Sequence, residues 1–319
     1  MLEKLDIKDR KILAELDMNA RQPMTILSKS VGLSRQVVEY RIKKLEQKGI
    51  ITGYVGWYNS LKLGYNHCRI FLNLKNIDRT TESKLIDYLK NIEEIVWLSW
   101  NEGKWDIGIS IIVKSVNKLN EIYQKIILNY SNYIEDTQIS FLIKKYYLTH
   151  KYLMFDKKNV YPYYENYNDG NVFIPDEKEQ LIISLIRNNA KISLLNLSKK
   201  CNIDIKTARN KLNKLYNKNI ILGYRALIDT TKLGLYNYHI FFTFDNMNPK
   251  KEKRVINFIK KHPYSIEIMQ SIGKPDLDCS MLFRNHFDLH MFMKEFRFLF
   301  SDIYRNHRFK MITKVYKDT

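Results

Sequence analysis

The chain has 319 residues, 45% of them apolar and 13% aromatic, enough for packed cores, which excludes a wholly disordered protein. Its 53 Lys and Arg against 34 Asp and Glu give a formal charge of +19, which points to a polyanionic partner, nucleic acid before an acidic membrane surface. No apolar run approaches the roughly 20 residues of a spanning helix, and Met1–Asp6 contains no apolar signal region. The three widely spaced cysteines, with no Cys-x-x-Cys, argue against a disulfide framework or zinc ribbon and for a reducing, cytoplasmic setting.

Asp6 and Asp9 read as the cap and acidic first turn of a helix carrying Ile12, Leu13 and Leu16. A second helix near 25–31 turns Ile26, Leu27 and Val31 inward and breaks at Gly32. Ser34 caps a third, with Val37, Val38, Ile42 and Leu45 inward, which stops at Gly49. Residues 50–55 have strand character, so three helices followed by a β-hairpin predict a winged helix-turn-helix. The period then changes. Cys68–Leu74 alternates as a strand, and Leu85, Ile86 and Leu89 mark a helix. Two strands, 95–100 and 106–113, join at Gly103; Leu119, Ile122 and Ile126 mark a helix, and 139–148 is a last strand. That β-α-β-β-α-β order is ferredoxin-like. Residues 151–172, rich in Tyr, Asn and Asp, read as a linker.

The rest of the chain repeats this unit. Asn19-Ala20 recurs as Asn189-Ala190, Gly53-Tyr54 as Gly223-Tyr224, Lys62-Leu63-Gly64 as Lys232-Leu233-Gly234, and Gly103-x-x-Asp106 as Gly273-x-x-Asp276, each at an offset of 170. Asp176, Ser193 and Asp204 open the second set of helices, with Leu181, Ile182 and Leu185, then Leu194, Leu195 and Leu197, then Ala208, Leu212 and Leu215 inward. Asn202 stands for the turn glycine. The expected fold is α+β: winged helix-turn-helix domains at 1–60 and 173–230 alternating with ferredoxin-like (βαββαβ) domains at 61–150 and 231–319. Apolar residues fall on both sides of the last strand of copy one, Ile139, Phe141 and Ile143 against Leu142, Tyr146 and Leu148. The sheet therefore wants a second partner, most simply the other copy's sheet packed face to face, within one chain or between two.

Leu5-Asp6-x-x-Asp9-x-x-Ile12-Leu13, Asn19-Ala20-Arg21, Val31-Gly32-Leu33-Ser34, Val37-x-x-x-Arg41-Ile42-x-x-Leu45-Glu46-x-x-Gly49-Ile50-Ile51, Gly53-Tyr54, Leu63-Gly64 and Gly103-x-x-Asp106 together resemble the Lrp/AsnC family of bacterial and archaeal transcription factors. The second copy keeps that skeleton with Lys191, Asn202, Asp204, Lys211 and Asn219 in place of Arg21, Gly32, Ser34, Arg41 and Gly49, which resembles fused, double-length members. The resemblance implies a DNA-binding head joined to a domain that senses a small molecule such as an amino acid and self-associates through its ferredoxin-like sheets. It places effector binding near Gly103, Asp106, Gly273 and Asp276; read locally, the same residues make hairpin turns.

Set on a wheel of 100° per residue, the third helix turns Gln36, Tyr40, Lys43 and Gln47 outward, with Glu39 beside them. With Ser34, Arg35 and Lys44 they form the candidate DNA-reading set, Gln36 suited to adenine and the cations to phosphate or guanine. The second set is Lys206, Thr207, Arg209, Asn210, Asn213, Lys214 and Asn217, and its chemistry differs at almost every place. Arg41 and Lys211 lie toward the domain and are expected to bond acids there. No nucleophile elbow, phosphate loop or carboxylate pair is present, and His286 and His290 lack the intervening acid of a zinc-protease motif. The expectation is therefore no catalytic residue, no metal, no cofactor and no enzyme, with double-stranded DNA as partner. A siroheme decarboxylase on the same two-part architecture is the rival, with His67, His150 and His239 available to a tetrapyrrole cleft.

Overall fold

The computed structural model describes residues 5–153 and 163–318. Side chains set the helix starts as expected. Asp6 accepts from Lys8 N to open α1 (Ile7–Met18); α2 (Met24–Val31) ends at left-handed Gly32; Ser34 accepts from Val37 N to open α3 (Arg35–Gln47). Copy one continues with β1 (Ile51–Tyr58), β2 (Asn66–Leu74), α4 (Arg79–Lys90), β3 (Ile95–Gly103), β4 (Ile107–Val113), α5 (Val116–Tyr130) and β5 (Ile134–Leu148). After β6 (Tyr163–Tyr167), copy two gives α6 (Glu177–Asn188), α7 (Leu194–Cys201), α8 (Ile205–Asn217), β7 (Ile221–Ile228), β8 (Tyr236–Phe244), α9 (Pro249–Lys261), β9 (Ser265–Gly273), β10 (Leu277–Phe283), α10 (His286–Leu299) and β11 (Tyr304–Asp318).

The helical cores are narrower than the apolar pattern. α3 buries Val38, Ile42 and Leu45, the i, i+4, i+7 stripe, and leaves Val37 exposed beside it. Ile26, Leu181 and Leu195 are likewise exposed, because each flanks the stripe that meets the core. Part of the expected linker is a strand. β6 takes up the edge of β5 from Lys144 onward, where β2 leaves it at Phe141; residues 154–162 of that linker lie outside the described residues.

The expected wing hairpin does not form. Each expected wing is a single strand, and β1 pairs antiparallel with β7, from Ile51↔Ile228 to Tyr58↔Ile221. The strand's hydrogen-bonding partner lies in the other copy, which a local reading of residues 50–55 cannot reveal. α1 packs on β7 and α6 on β1. Ala20 N donates to Tyr224 O (2.8 Å), and Ala190 N donates to Tyr54 O (2.9 Å). The first head's core is completed by Ala226, Leu233 and Leu235, the second's by Leu63.

Below the heads, the sheets do more than face each other: they join edge to edge. Each has the ferredoxin-like order, β5-β2-β4-β3 and β11-β8-β10-β9. The seams β5–β9 and β3–β11 close them into an antiparallel ring of eight strands. Helices α4 and α5 cover one half from outside, α9 and α10 the other. The inward-facing side chains are therefore enclosed.

Candidate nucleic-acid interface

α3 and α8 hold their inner faces in separate cores and present the opposite faces to solvent. In α3, Arg35, Gln36, Glu39, Tyr40, Lys43, Lys44 and Gln47 are all exposed, as is the cap Ser34. Arg35 and Glu39 pair at 2.7 Å, one turn apart, so that arginine is shared with a neighbour on the reading face. In α8, Lys206, Arg209, Asn210, Asn213 and Asn217 are exposed.

Two members of the second set have work inside the domain. Thr207 is half-buried and bonds the cap Asp204 through its amide (2.9 Å) and hydroxyl (2.5 Å). Lys214 Nζ lies 2.7 Å from Glu179, a carboxylate only 1% exposed, and that contact raises the lysine pKa. The buried acid needs a cation, so Lys214 is held toward α6 at its charged end. Arg41 bonds Asp9 (2.8 Å) and Asp6 (2.9 Å), bonds that raise its pKa, and Lys211 bonds Asp176 (2.5 Å), as expected from their place on the wheel.

The heads are basic, with 11 cations against 7 acids over residues 1–60 and 11 against 5 over 171–230. They are also locked together by residues whose role the sequence left open. Arg21 Nη1 donates to the carbonyls of Ala190 (2.7 Å) and Ile192 (2.8 Å) and lies over Tyr224; Lys191, its repeat equivalent, lies 3.4 Å from the centre of the Tyr54 ring. The fixed offset of these motifs was the available signal.

The turns bearing Gly103, Asp106, Gly273 and Asp276 sit at the seams. Asp106 accepts from Leu74 N (2.7 Å) and Asp276 from Phe244 N (2.8 Å), so each carboxylate ties its turn to the first strand of its own sheet. At Gly103, φ is 121° and a Cβ would stand 2.6 Å from Phe309 O; at Gly273, φ is 103° and the nearest atom, Ile139 O, would be at 3.1 Å.

Of a second polar cluster, inside the barrel, sequence reasoning reached only His67 and His239 and missed Arg69, Asp278 and Lys310. Arg69 and Asp278 pair through both guanidinium Nη atoms, with Nη2–Oδ1 at 3.0 Å, and Arg69 Nη2 also reaches Ser271 (2.8 Å). His239 Nε2 bonds the same carboxylate. Burial alone would raise the Asp278 pKa; Arg69 and His239 outweigh it and hold it at about 2. Lys310 is fully buried with no hydrogen-bond partner among the described residues; its Nζ lies 5.0 Å from the Phe71 ring centre and 5.1 Å from that of Trp97. Burial, aided by Arg69, lowers it to about 7. His67, also buried and without a partner for either ring nitrogen, falls to about 3 through burial. His150 stands apart, bonded to Asp17 where the first head meets the barrel. The signal available in the sequence was a charge at alternate places in otherwise apolar strands.

The family described as winged helix-turn-helix DNA-binding matches residues 5–52. Over 144 residues the chain is 30% identical to an uncharacterized HTH-type transcriptional regulator of Pyrococcus furiosus, a match covering 44% of this chain and 93% of that protein. Over 121 residues it is 27% identical to the regulatory protein AsnC of Haemophilus influenzae, covering 38% of this chain and 80% of that protein. The chain belongs to the Lrp/AsnC family of HTH-type transcriptional regulators. This Lrp/AsnC chain also matches the siroheme decarboxylase NirDL over 98% of its own length and 93% of that chain, with a TM-score of 0.65 and 13% identity. That match corrects the expectation of a chain that is no enzyme: the full-length frame is one that an enzyme uses. Among the described residues of this Lrp/AsnC chain, no helix is long and apolar enough to cross a membrane.

Proposed function

We propose that the protein is a tandem, double-length Lrp/AsnC regulator, acting in the cytoplasm, which reads double-stranded DNA with two unlike helices carried by one chain. Residues 1–60 and 173–230 are its heads, 61–150 and 231–319 its ferredoxin-like assembly domains, and 151–172 the connection. One observation carries the reading: α3 and α8 each bury a single apolar stripe in a core and keep a polar, cation-bearing face open. Gln36 and Lys43 read bases for the first head; Arg209, Asn210 and Asn213 do so for the second. The faces differ, so the operator is asymmetric.

Selection of bound sites from random duplex DNA tests this. An asymmetric site is expected, with affinity falling steeply as salt rises. Gln36→Ala with Lys43→Ala should weaken binding at one half-site by about 1–3 kcal/mol per base contact and leave the other unchanged. A palindrome bound by one chain per half-site counts against the reading. The amino-acid effector belongs at the Gly103–Asp106 and Gly273–Asp276 turns, where it must leave the aspartate–amide bonds intact; an amino-acid-dependent change in DNA affinity that Asp106→Asn and Asp276→Asn alter is the measurement.

The full-length match to an enzyme favours a second reading, tetrapyrrole chemistry in the barrel, where His67 and His239 are enclosed. A structure of that enzyme holds an iron-uroporphyrin III analogue. Titration of this protein with an iron porphyrin, followed in the visible spectrum, separates the readings: tight binding without DNA affinity supports the enzyme.

A further inference from the structure

We infer that the first half of the barrel (residues 61–150) refuses a second copy of itself: its inner face pairs only with a sheet that brings a carboxylate to the place of Asp278. The inference rests on the tandem reading. Among the inward positions that differ at the 170-residue offset, three set the charge around Asp278: Arg69 matches His239, Gly108 matches Asp278, and Ser140 matches Lys310. The first half therefore supplies a cation and no acid, and the second supplies the acid. Joined, Asp278 takes Arg69 and His239 together. Lys310 extends into the room left by Gly108, where a Cβ would overlap its Nζ.

A pair of first halves fails on the same chemistry. It would enclose two Arg69 guanidinium groups among Gly108, Ser140, Ser99 and Asn101, the repeat equivalents of Asp278, Lys310, Met269 and Ser271, with no acid between them. Among the described residues the buried carboxylates are Asp17, Glu179 and Asp278, and only Asp278 belongs to the barrel. Removing one partner from a buried pair leaves an uncompensated charge, the strongly unfavourable case. Two second halves are not refused on this ground, since each Asp278 would stand beside the other copy's Lys310, a cation whose flexible end can give way. The backbone does not discriminate. β3 and β9 each have 9 residues, β5 and β11 each have 15, and both seams are antiparallel, so two chains could exchange like for like through the same main-chain hydrogen bonds. Selection must come from the enclosed side chains.

Cysteine pairs in the full chain test this. Glu102 and Met311 are cross-strand partners at the β3–β11 seam, and Phe141 is the repeat equivalent of Met311. Glu102→Cys with Met311→Cys reports unlike halves; Glu102→Cys with Phe141→Cys reports two first halves from different chains. Cross-linking is started only after refolding, when the native cysteines are buried again. After unfolding and refolding at high concentration, the first pair should cross-link and the second should not. In a neutral core, Arg69→Met with Asp278→Asn and Lys310→Met, the second pair should give covalent dimers, up by about tenfold. The first pair, tested in that same core, checks that it still folds. Equal cross-linking of the second pair in the native core overturns the proposal. So does a neutral core as exclusive as the native one, since the tether alone would then select. Failure of the first pair in the native core removes the closed barrel itself, and the tandem reading with it.

Discussion

The two copies agree at their seams and disagree on their faces. Asn19-Ala20 and Gly223-Tyr224 meet across the heads, as do Asn189-Ala190 and Gly53-Tyr54. Leu63 and Leu233 each complete the other head's core. Gly103 and Gly273 each let a strand of the opposite copy pass close by. What repeats in this chain is a set of positions where the backbones and apolar cores of the copies meet, while the buried Asp17–Arg225 pair between the heads has no repeat equivalent. What has drifted is what looks outward, on α3 and α8, or into the barrel.

The sharpest way to break the comparison is in the barrel. Asp278→Ala strands Arg69 in the interior and should cost about 3–5 kcal/mol in chemical denaturation. A loss below about 1 kcal/mol would mean the pair is hydrated and the halves are not matched by it. Lys310 gives a second handle. Its pKa is lowered to about 7 in the fold from 10.5, so between those limits the unfolded chain holds more protons and stability rises with pH. The slope should approach about 1.4 kcal/mol per pH unit and should flatten in Lys310→Met, which denaturation at several pH values measures. At the seams, Gly103→Ala meets a backbone carbonyl at 2.6 Å and Gly273→Ala at 3.1 Å, both at positive φ. The first should lose about 2 kcal/mol and the second about 1 kcal/mol, and a reversed order would say that the seams do not close alike. The smallest contrast is between the head clamps. Arg21→Ala removes two hydrogen bonds and should cost about 1–2 kcal/mol. Lys191→Ala removes a ring contact and should cost about 0.5 kcal/mol, with equal losses marking the clamps as equivalent.

Local chemistry was legible in the sequence: the caps at Asp6, Ser34 and Asp204, the turn at Asn202, and the inward bonds of Arg41 and Lys211 all stand where the pattern put them. The family-level reading of the heads was legible for the same reason, since a helix-turn-helix is short and its signals adjoin. Partnership across 170 residues was not. β1 looks like half a hairpin because a strand's sequence records its need for a neighbour and not the neighbour's address. Face-to-face sheets were expected from apolar residues on both sides of the last strand, yet edge closure puts Leu142 inside and leaves Ile143 half exposed on the outer wall. Thr207 and Lys214 stood in the candidate DNA-reading set by their place on the third helix of copy two, and their bonds to Asp204 and Glu179 involve a cap and a neighbouring helix that a single-helix reading does not include.

The β1–β7 ribbon has a consequence for the operator. Because both heads hang from one pair of strands, neither can swivel without the other, and the chain behaves as a caliper of fixed span. On the proposed two-headed reading, half-sites must then lie in phase on the double helix. Inserting about five base pairs, half of the roughly 10.5 that make one turn, would carry the second half-site round to the far side of the duplex, out of the caliper's reach, and a gel shift on that spacer should show single-head affinity alone.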